Sequence, residues 1–220
     1  EVDPVEFSDM IMFNAYGKWS GRVEKAHALH PGKPIFMSEY GNHLNDENLN
    51  EANINAQKLL DEFRGKSYMV GASLWTFNDY RSFWKAGPTW TTPPSQNRTW
   101  GVVDVHRQKK RAYYTFRREH APVARFFVKQ NNRNSAEITL TPRGKLDIPA
   151  YTLKGYNLAW SIADKNGRIV DGGVEDLPII NPGDDPLQRK ISWDESDVTQ
   201  LKIDLLDPQQ YSVRDTTIYF

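Results

Sequence analysis

The chain has 220 residues, with 28 basic and 28 acidic side chains, 39% hydrophobic residues and no cysteine. That is room for one large or two ordinary domains, with the composition of a soluble globular protein. Zero net charge offers no global field to nucleic acid or an anionic membrane, and absent cysteine excludes disulfides and thiolate metal sites. No run approaches the roughly 20 apolar residues that span a bilayer. The opening Glu1-Val2-Asp3-Pro4 is neither a signal peptide nor headed by an initiator methionine, and reads as a cut from something longer. Absent cysteine suits an oxidising compartment, so a periplasmic or secreted protein is expected.

In chain order, Met10-Ile11-Met12-Phe13 reads as a short strand ending at Asn14-Ala15-Tyr16-Gly17. Trp19, Val23, Ala26 and Leu29 then recur at helical spacing until Pro31-Gly32 stops them. A strand follows over Pro34–Ser38, and a helix over residues 46–64 with Leu49, Ala52, Ala56, Leu59, Leu60 and Phe63 on one face. Asp46 suits its N-cap and Gly65 its stop. A third strand, Met69–Phe77, ends in Asn78-Asp79-Tyr80. Three of the seven tryptophans (Trp84, Trp90 and Trp100) lie in or beside the next loop, rich in Pro, Thr and Ser, where aromatics suit stacking on a sugar face. Trp100–Val105 reads as extended and Lys109–Arg118 as a closing helix. Strand–helix repeats with polar strand ends predict a parallel α/β sheet, flat or barrelled. Three such units do not close an eight-stranded barrel of about 250 residues.

From Pro122 the rhythm changes to short strands: Ala124–Gln130, Ala136–Pro142, Tyr156–Ala163, Arg168–Asp171, Arg189–Trp193, Gln200–Leu206 and Thr216–Phe220. Asn166-Gly167 predicts a hairpin turn, and Trp160 a core position. Seven strands in this span predict an immunoglobulin/fibronectin-like β-sandwich. The expected domains are therefore residues 1–121 and 122–220.

The richest chemistry sits in Ile35-Phe36-Met37-Ser38-Glu39-Tyr40-Gly41-Asn42, where an apolar run stops at one carboxylate. A strand presenting a single glutamate where loops begin can supply a nucleophile or a general base. The five histidines show no metal-ligand spacing, and His43 reads as a surface-loop residue. The basic cluster Arg107–Arg111, with Arg117 and Arg118, reads as a solvated helix face. Residues 1–121 carry 16 basic against 14 acidic residues, too balanced for nucleic acid.

Four segments in this order resemble the C-terminal part of glycoside hydrolase family 2 catalytic domains, the family of β-galactosidases and β-glucuronidases. Phe13-Asn14-Ala15-Tyr16-Gly17 resembles the end of barrel strand six, and Pro34–Gly41 strand seven with its nucleophile. Gly71–Tyr80 resembles strand eight, and Trp100–Tyr113 the entry to the last helix. The resemblance implies the end of a (β/α)8 barrel, about three strand–helix units, followed by an immunoglobulin-like domain. It implies Glu39 as nucleophile, Tyr16 as the phenol supporting it, Asn14 as a sugar-contacting amide and Trp75 as the floor of the subsite. Asn78, Asp79 and Asn97 are further candidates for hydroxyl contacts. The implied partner is a carbohydrate substrate, with the remainder of the barrel or a second copy completing the site. Mg²⁺ or Na⁺ enters by family resemblance only.

The family's acid/base glutamate belongs to strand four, upstream of residue 1. Many galactosidases carry histidine where this chain has Asn42, and glucuronidases an Asn-x-Lys element where it has Arg98-Thr99-Trp100. The resemblance implies a retaining exo-β-glycosidase, β-galactosidase-like first and β-glucuronidase-like second. A carbohydrate-binding or scaffold module without catalysis, and a degenerate relative used for assembly, are the alternatives.

Overall fold

A computed structural model describes residues 5–16, 19–44, 56–82, 97–194 and 197–220. The chain divides into two compact units, Glu1–Glu119 and His120–Phe220.

In the first unit, a 3-10 turn (Val5–Phe7) leads into β1 (Ile11–Ala15), α1 (Trp19–Leu29), β2 (Ile35–Tyr40), α2 (described over residues 56–61) and β3 (Met69–Leu74). A short pair, β4 (Tyr80–Arg81) and β5 (Asn97–Arg98), precedes α3 (Arg111–Glu119). Strands β1, β2 and β3 form a parallel sheet in sequence order, so their C-terminal ends share one rim. One face is sealed by Ile35, Met37 and Tyr40 of β2, with Ala56, Leu59 and Leu60 of α2 and Phe63 in the turn after it also fully buried. Gly65 ends that helical segment with φ +77°, the left-handed conformation that favours glycine. The expected start of this helix, with Asp46, Leu49 and Ala52, lies outside the described residues, as do Trp84 and Trp90.

Three expectations need correcting here. Leu29 is exposed, whereas Val23 is the buried residue among those of α1 whose side chains are described. Trp100–Val105, expected to be extended throughout, runs through bends and isolated bridges, from Asn78 to Val103 and from Val103 to Lys109. The closing helix begins at Arg111, and Lys110 before it is no solvated face residue but a nearly buried one.

The described residues of the second unit hold seven strands: β6 (Val123–Asn132), β7 (Ser135–Pro142), β8 (Asn157–Asp164), β9 (Ile169–Asp176), β10 (Leu187–Ser192), β11 (Val198–Leu206) and β12 (Ser212–Tyr219). They form two antiparallel sheets, ordered β10-β7-β6 and β12-β11-β8-β9. A single apolar cluster draws on both, including Ile138 and Leu140 from the first and Leu158, Ile162, Leu201 and Ile203 from the second. The inward positions follow strict alternation, as in Leu201, Ile203 and Leu205. Trp160 packs against this cluster and its ring lies over Gly173 across the β8–β9 pair, where no side chain would fit. The turn after β8 centres on Lys165-Asn166, with Gly167 at φ +76° and its N–H bonded to the Asp164 carbonyl at 3.0 Å. It is a tight turn closed by a left-handed glycine, and the β8–β9 register slips beside it.

Candidate active site

The geometry of the rim starts from one irregularity in β2. Ile35 and Met37 are buried, so alternation alone would send Glu39 into the same apolar face. Instead Phe13 of β1 pairs with Met37 and the next residue, Asn14, pairs with Glu39. On the other side Met37 pairs with Ala72 and Tyr40 with Leu74, again one residue longer on β2. Ser38 is the extra residue of a β-bulge. It shifts the phase by one, so that Tyr40 takes the buried place and Glu39 leaves it. The Ser38 hydroxyl donates to Asn14 Oδ1 at 2.8 Å, stitching the bulge to β1.

Glu39 then meets Tyr16, the residue following β1, whose hydroxyl donates a short hydrogen bond to Glu39 Oε2. Burial, this bond and the carboxylate's charge, in that order, push the Tyr16 phenol well above its ordinary range. The phenol therefore stays a donor across the working pH range. The Tyr16 ring meets Trp100 edge-on at 5.2 Å, and Trp100 in turn tilts against His43 at 4.8 Å. His43 is thus a half-buried ring neighbour of the site, not the surface-loop residue expected. Burial first, then the charges of Arg98 and Lys110, hold its imidazole below the usual histidine range.

Trp75 follows β3 and leads through a cis peptide bond into Thr76. Its backbone N–H bonds to the Tyr40 carbonyl at 2.7 Å, fixing the end of β3 against the end of β2. Its indole Nε1 donates to Tyr80 Oη at 3.0 Å, and the two rings stand edge to face at 5.8 Å. Trp75 as a residue remains 38% exposed.

The segment carrying Trp100 is fastened from both sides. Leu44 N–H bonds to the Thr99 carbonyl at 2.7 Å, Thr76 N–H to the Trp100 carbonyl at 3.3 Å, and Val103 N–H to the Phe77 carbonyl at 3.0 Å. Asp79 closes the arrangement: its Oδ1 accepts from Gly101 N–H at 2.8 Å and from Lys110 Nζ at 2.6 Å. Both partners of this ion pair are nearly buried. A side chain at Gly101 would run into the backbone of Asn78 and Asp79, and one at Gly41 into the Trp75 carbonyl. These two glycines let three loops converge on the rim.

The sequence candidates therefore fall into two groups. Glu39, Tyr16 and Asn14 lie on neighbouring strand ends, with Trp75 at the end of the next strand. Asp79, by contrast, is engaged in the fold through Gly101 and Lys110, and Asn78 Nδ2 donates to the Asp104 carbonyl at 3.3 Å while pairing with Val103. Asn97 sits in β5 opposite Arg81, half-buried. Sequence reasoning passed over Tyr80, Arg98 and Lys110. The motif Asn78-Asp79-Tyr80 signalled the first, but only the fold reveals what Lys110 faces.

Among the described residues no group of three His, Asp or Glu side chains could hold a metal ion, so no residue is assigned to Mg²⁺ or Na⁺. Among the same residues no helix is long and apolar enough to cross a membrane.

No family model matches the chain, and no curated protein matches it. Solved structures do. A β-glucuronidase of Bacteroides uniformis aligns over 98% of this chain and 26% of its own length, at 15% identity and a TM-score of 0.43. A GH2 β-galacturonidase of Eisenbergiella tayi, bound to galacturonate, aligns over 49% of this chain and 22% of its own, at 20% identity and a TM-score of 0.38. A β-glucuronidase of Faecalibacterium prausnitzii aligns over 54% and 23%, at 20% identity and a TM-score of 0.39. The chain spans about a quarter of the length of these proteins.

Proposed function

We infer that this chain carries the nucleophile side of a retaining exo-β-glycosidase, with a β-galactoside as first substrate and a β-glucuronide second. One observation carries the reading. A lone carboxylate, turned out of the apolar face by a bulge, accepts a hydrogen bond from a phenol at the C-terminal rim of parallel strands. That rim is where α/β folds build their ligand sites. In this reading the parallel unit is the closing part of a (β/α)8 barrel, and the second unit an immunoglobulin-like sandwich. Support for the latter is the grouping of its first, second and fifth strands against the other four.

The chemistry follows from the residue types. A Glu39 oxygen attacks the anomeric carbon as the bond to the aglycone oxygen breaks, forming a glycosyl ester. A second carboxyl group about 5–5.5 Å away protonates the departing oxygen, then removes a proton from the water that cleaves the ester. The resemblance assigns that group to a residue upstream of residue 1. Tyr16 keeps one Glu39 oxygen oriented and charged, leaving the other for attack. Trp75 offers an aromatic face to the apolar side of the sugar, and Asn14 an amide to a hydroxyl. The chain by itself is expected to turn over aryl glycosides barely or not at all.

The half-exposed Trp75 would also serve a module that binds glycans without cleaving them. Turnover separates the two readings. In the full-length protein, Glu39→Gln abolishes hydrolysis of an aryl β-glycoside under the first; normal rates in that variant overturn it.

A further inference from the structure

Tyr80 has no assigned role, yet it stands where three independent constraints meet. Its backbone pairs with Arg98 in the β4–β5 ladder, directly after the Asp79 side chain tied to Gly101 and Lys110. Its hydroxyl oxygen accepts from Trp75 Nε1 at 3.0 Å and from Arg98 Nη1 at 3.4 Å. Its ring presents a face or edge to the Trp75 indole at 84°. A tryptophan at a strand end can rotate about two side-chain bonds, and a stacking platform is useful only in one orientation. An acceptor at the indole N–H, itself held by a guanidinium, selects one ring orientation without covering the face offered to a ligand.

We propose that Tyr80 is the positioning residue for the Trp75 platform, acting through the Trp75 Nε1–Tyr80 Oη hydrogen bond, with Arg98 holding the phenol in place. This rests on the glycosidase reading for its consequence, but not for its geometry. A platform that contacts the sugar equally in the ground and transition states contributes uniform binding. Losing its orientation therefore raises KM and leaves kcat nearly unchanged.

The test uses Tyr80→Phe, which keeps the ring and removes the acceptor, alongside Trp75→Phe, which removes the donor, and the double variant, all in the full-length protein. Two readouts are needed. The indole N–H resonance of Trp75, identified by its disappearance in Trp75→Phe, should move upfield in Tyr80→Phe as the hydrogen bond is lost. KM should rise about three- to tenfold, the value of one hydrogen bond, with kcat within about twofold. In the Trp75→Phe background, Tyr80→Phe should add no further change, since the two share one interaction. An unmoved resonance, a loss confined to kcat, or additive effects in the double variant overturn the proposal. A full-length protein that hydrolyses no β-glycoside removes the glycosidase reading instead, and the resonance still decides whether Tyr80 holds Trp75.

Discussion

The two units differ in what their cross-element polar contacts gather: exposed surface pairs in the sandwich, strand-end side chains in the parallel unit. In the sandwich, Asp164 and Asp207 close turns on their own backbone, as Asp104 does in the parallel unit, and Arg189 of β10 reaches Glu175 of β9 on the surface. Asp164 Oδ1 accepts from Asn166 and Arg168 N–H at 2.8 and 3.0 Å, and Asp207 Oδ1 accepts from Gln209 and Tyr211 N–H at 3.0 and 2.8 Å. The backbone N–H of Arg168 is the main reason the Asp164 carboxyl lies below its usual range. Such groups serve the fold where they stand. In the parallel unit, polar side chains reach across elements: Tyr16 to Glu39, Lys110 to Asp79, Trp75 to Tyr80. The sandwich has register slips as well, close to its strand ends, as at Ile162–Ala163 beside the turn after β8. The slip in β2 falls at Ser38 and turns Glu39 out of the apolar face. What sets β2 apart is therefore not the slip alone but the slip together with a phenol on the neighbouring strand that bonds to the carboxylate it turns out.

The contrast can be broken most severely at Glu39. Glu39→Gln should cut kcat on an aryl β-glycoside by on the order of 10⁴-fold or more, the scale on which losing a nucleophile acts. Its circular dichroism should be unchanged, because the side chain is not part of the apolar face. No comparable loss is expected from any carboxylate of the sandwich, such as Asp164→Asn.

Ion pairs should separate the units next. Lys110→Met leaves Asp79 charged and nearly buried, and should cost about 3–5 kcal/mol in urea unfolding of the first unit. Arg189→Met in the sandwich removes a 2.5 Å pair with Glu175 that is far more exposed, and should cost less than about 1 kcal/mol. Equal costs would show that the Asp79–Lys110 contact is no more than a surface pair.

Tyr16→Phe removes one charge-assisted hydrogen bond to Glu39, and should lower kcat/KM by about 10- to 100-fold. An unaffected rate would mean that Glu39 is oriented by other contacts.

The smallest expected effect is on pH and touches both units. Burial is the main cause that raises Tyr16 and Tyr40 in the first unit and Tyr156 in the second. Arg64 partly opposes it at Tyr40. Above about pH 10 the unfolded chain loses these phenolic protons while the folded chain keeps them. Their stabilisation is fully present below that pH and lost as pH rises beyond it. Stability measured by urea unfolding should therefore hold up to about pH 10 and fall as pH rises above it, with phenolate absorbance lagging until unfolding; flat stability would contradict this.

Much of this architecture was legible beforehand, and the reasons are local. Each strand of the sandwich overlaps a segment expected from period-two alternation, since those side chains face one shared core. The ends of β1 and β2 were legible because apolar runs stop at Asn14 and Glu39. Strand β3, expected to run on to Phe77, ends instead at Leu74, where the chain turns through Trp75 into the loop. What escaped depends on contacts distant in sequence. Lys110 sits in a run of basic residues indistinguishable from a solvated face until Asp79, 31 positions earlier, is brought against it. The β4–β5 pair is two residues long on each strand, below any periodic signal. The bulge at Ser38 appears only when two neighbouring strands fix the register.

The most direct test is to treat the full-length protein with a 2-deoxy-2-fluoro β-glycoside bearing a good leaving group, and to map the modified peptide by mass spectrometry. A single added sugar on Glu39, absent in Glu39→Gln, is the predicted result. A stoichiometric label on another carboxylate, or continued turnover with none on Glu39, would contradict the account.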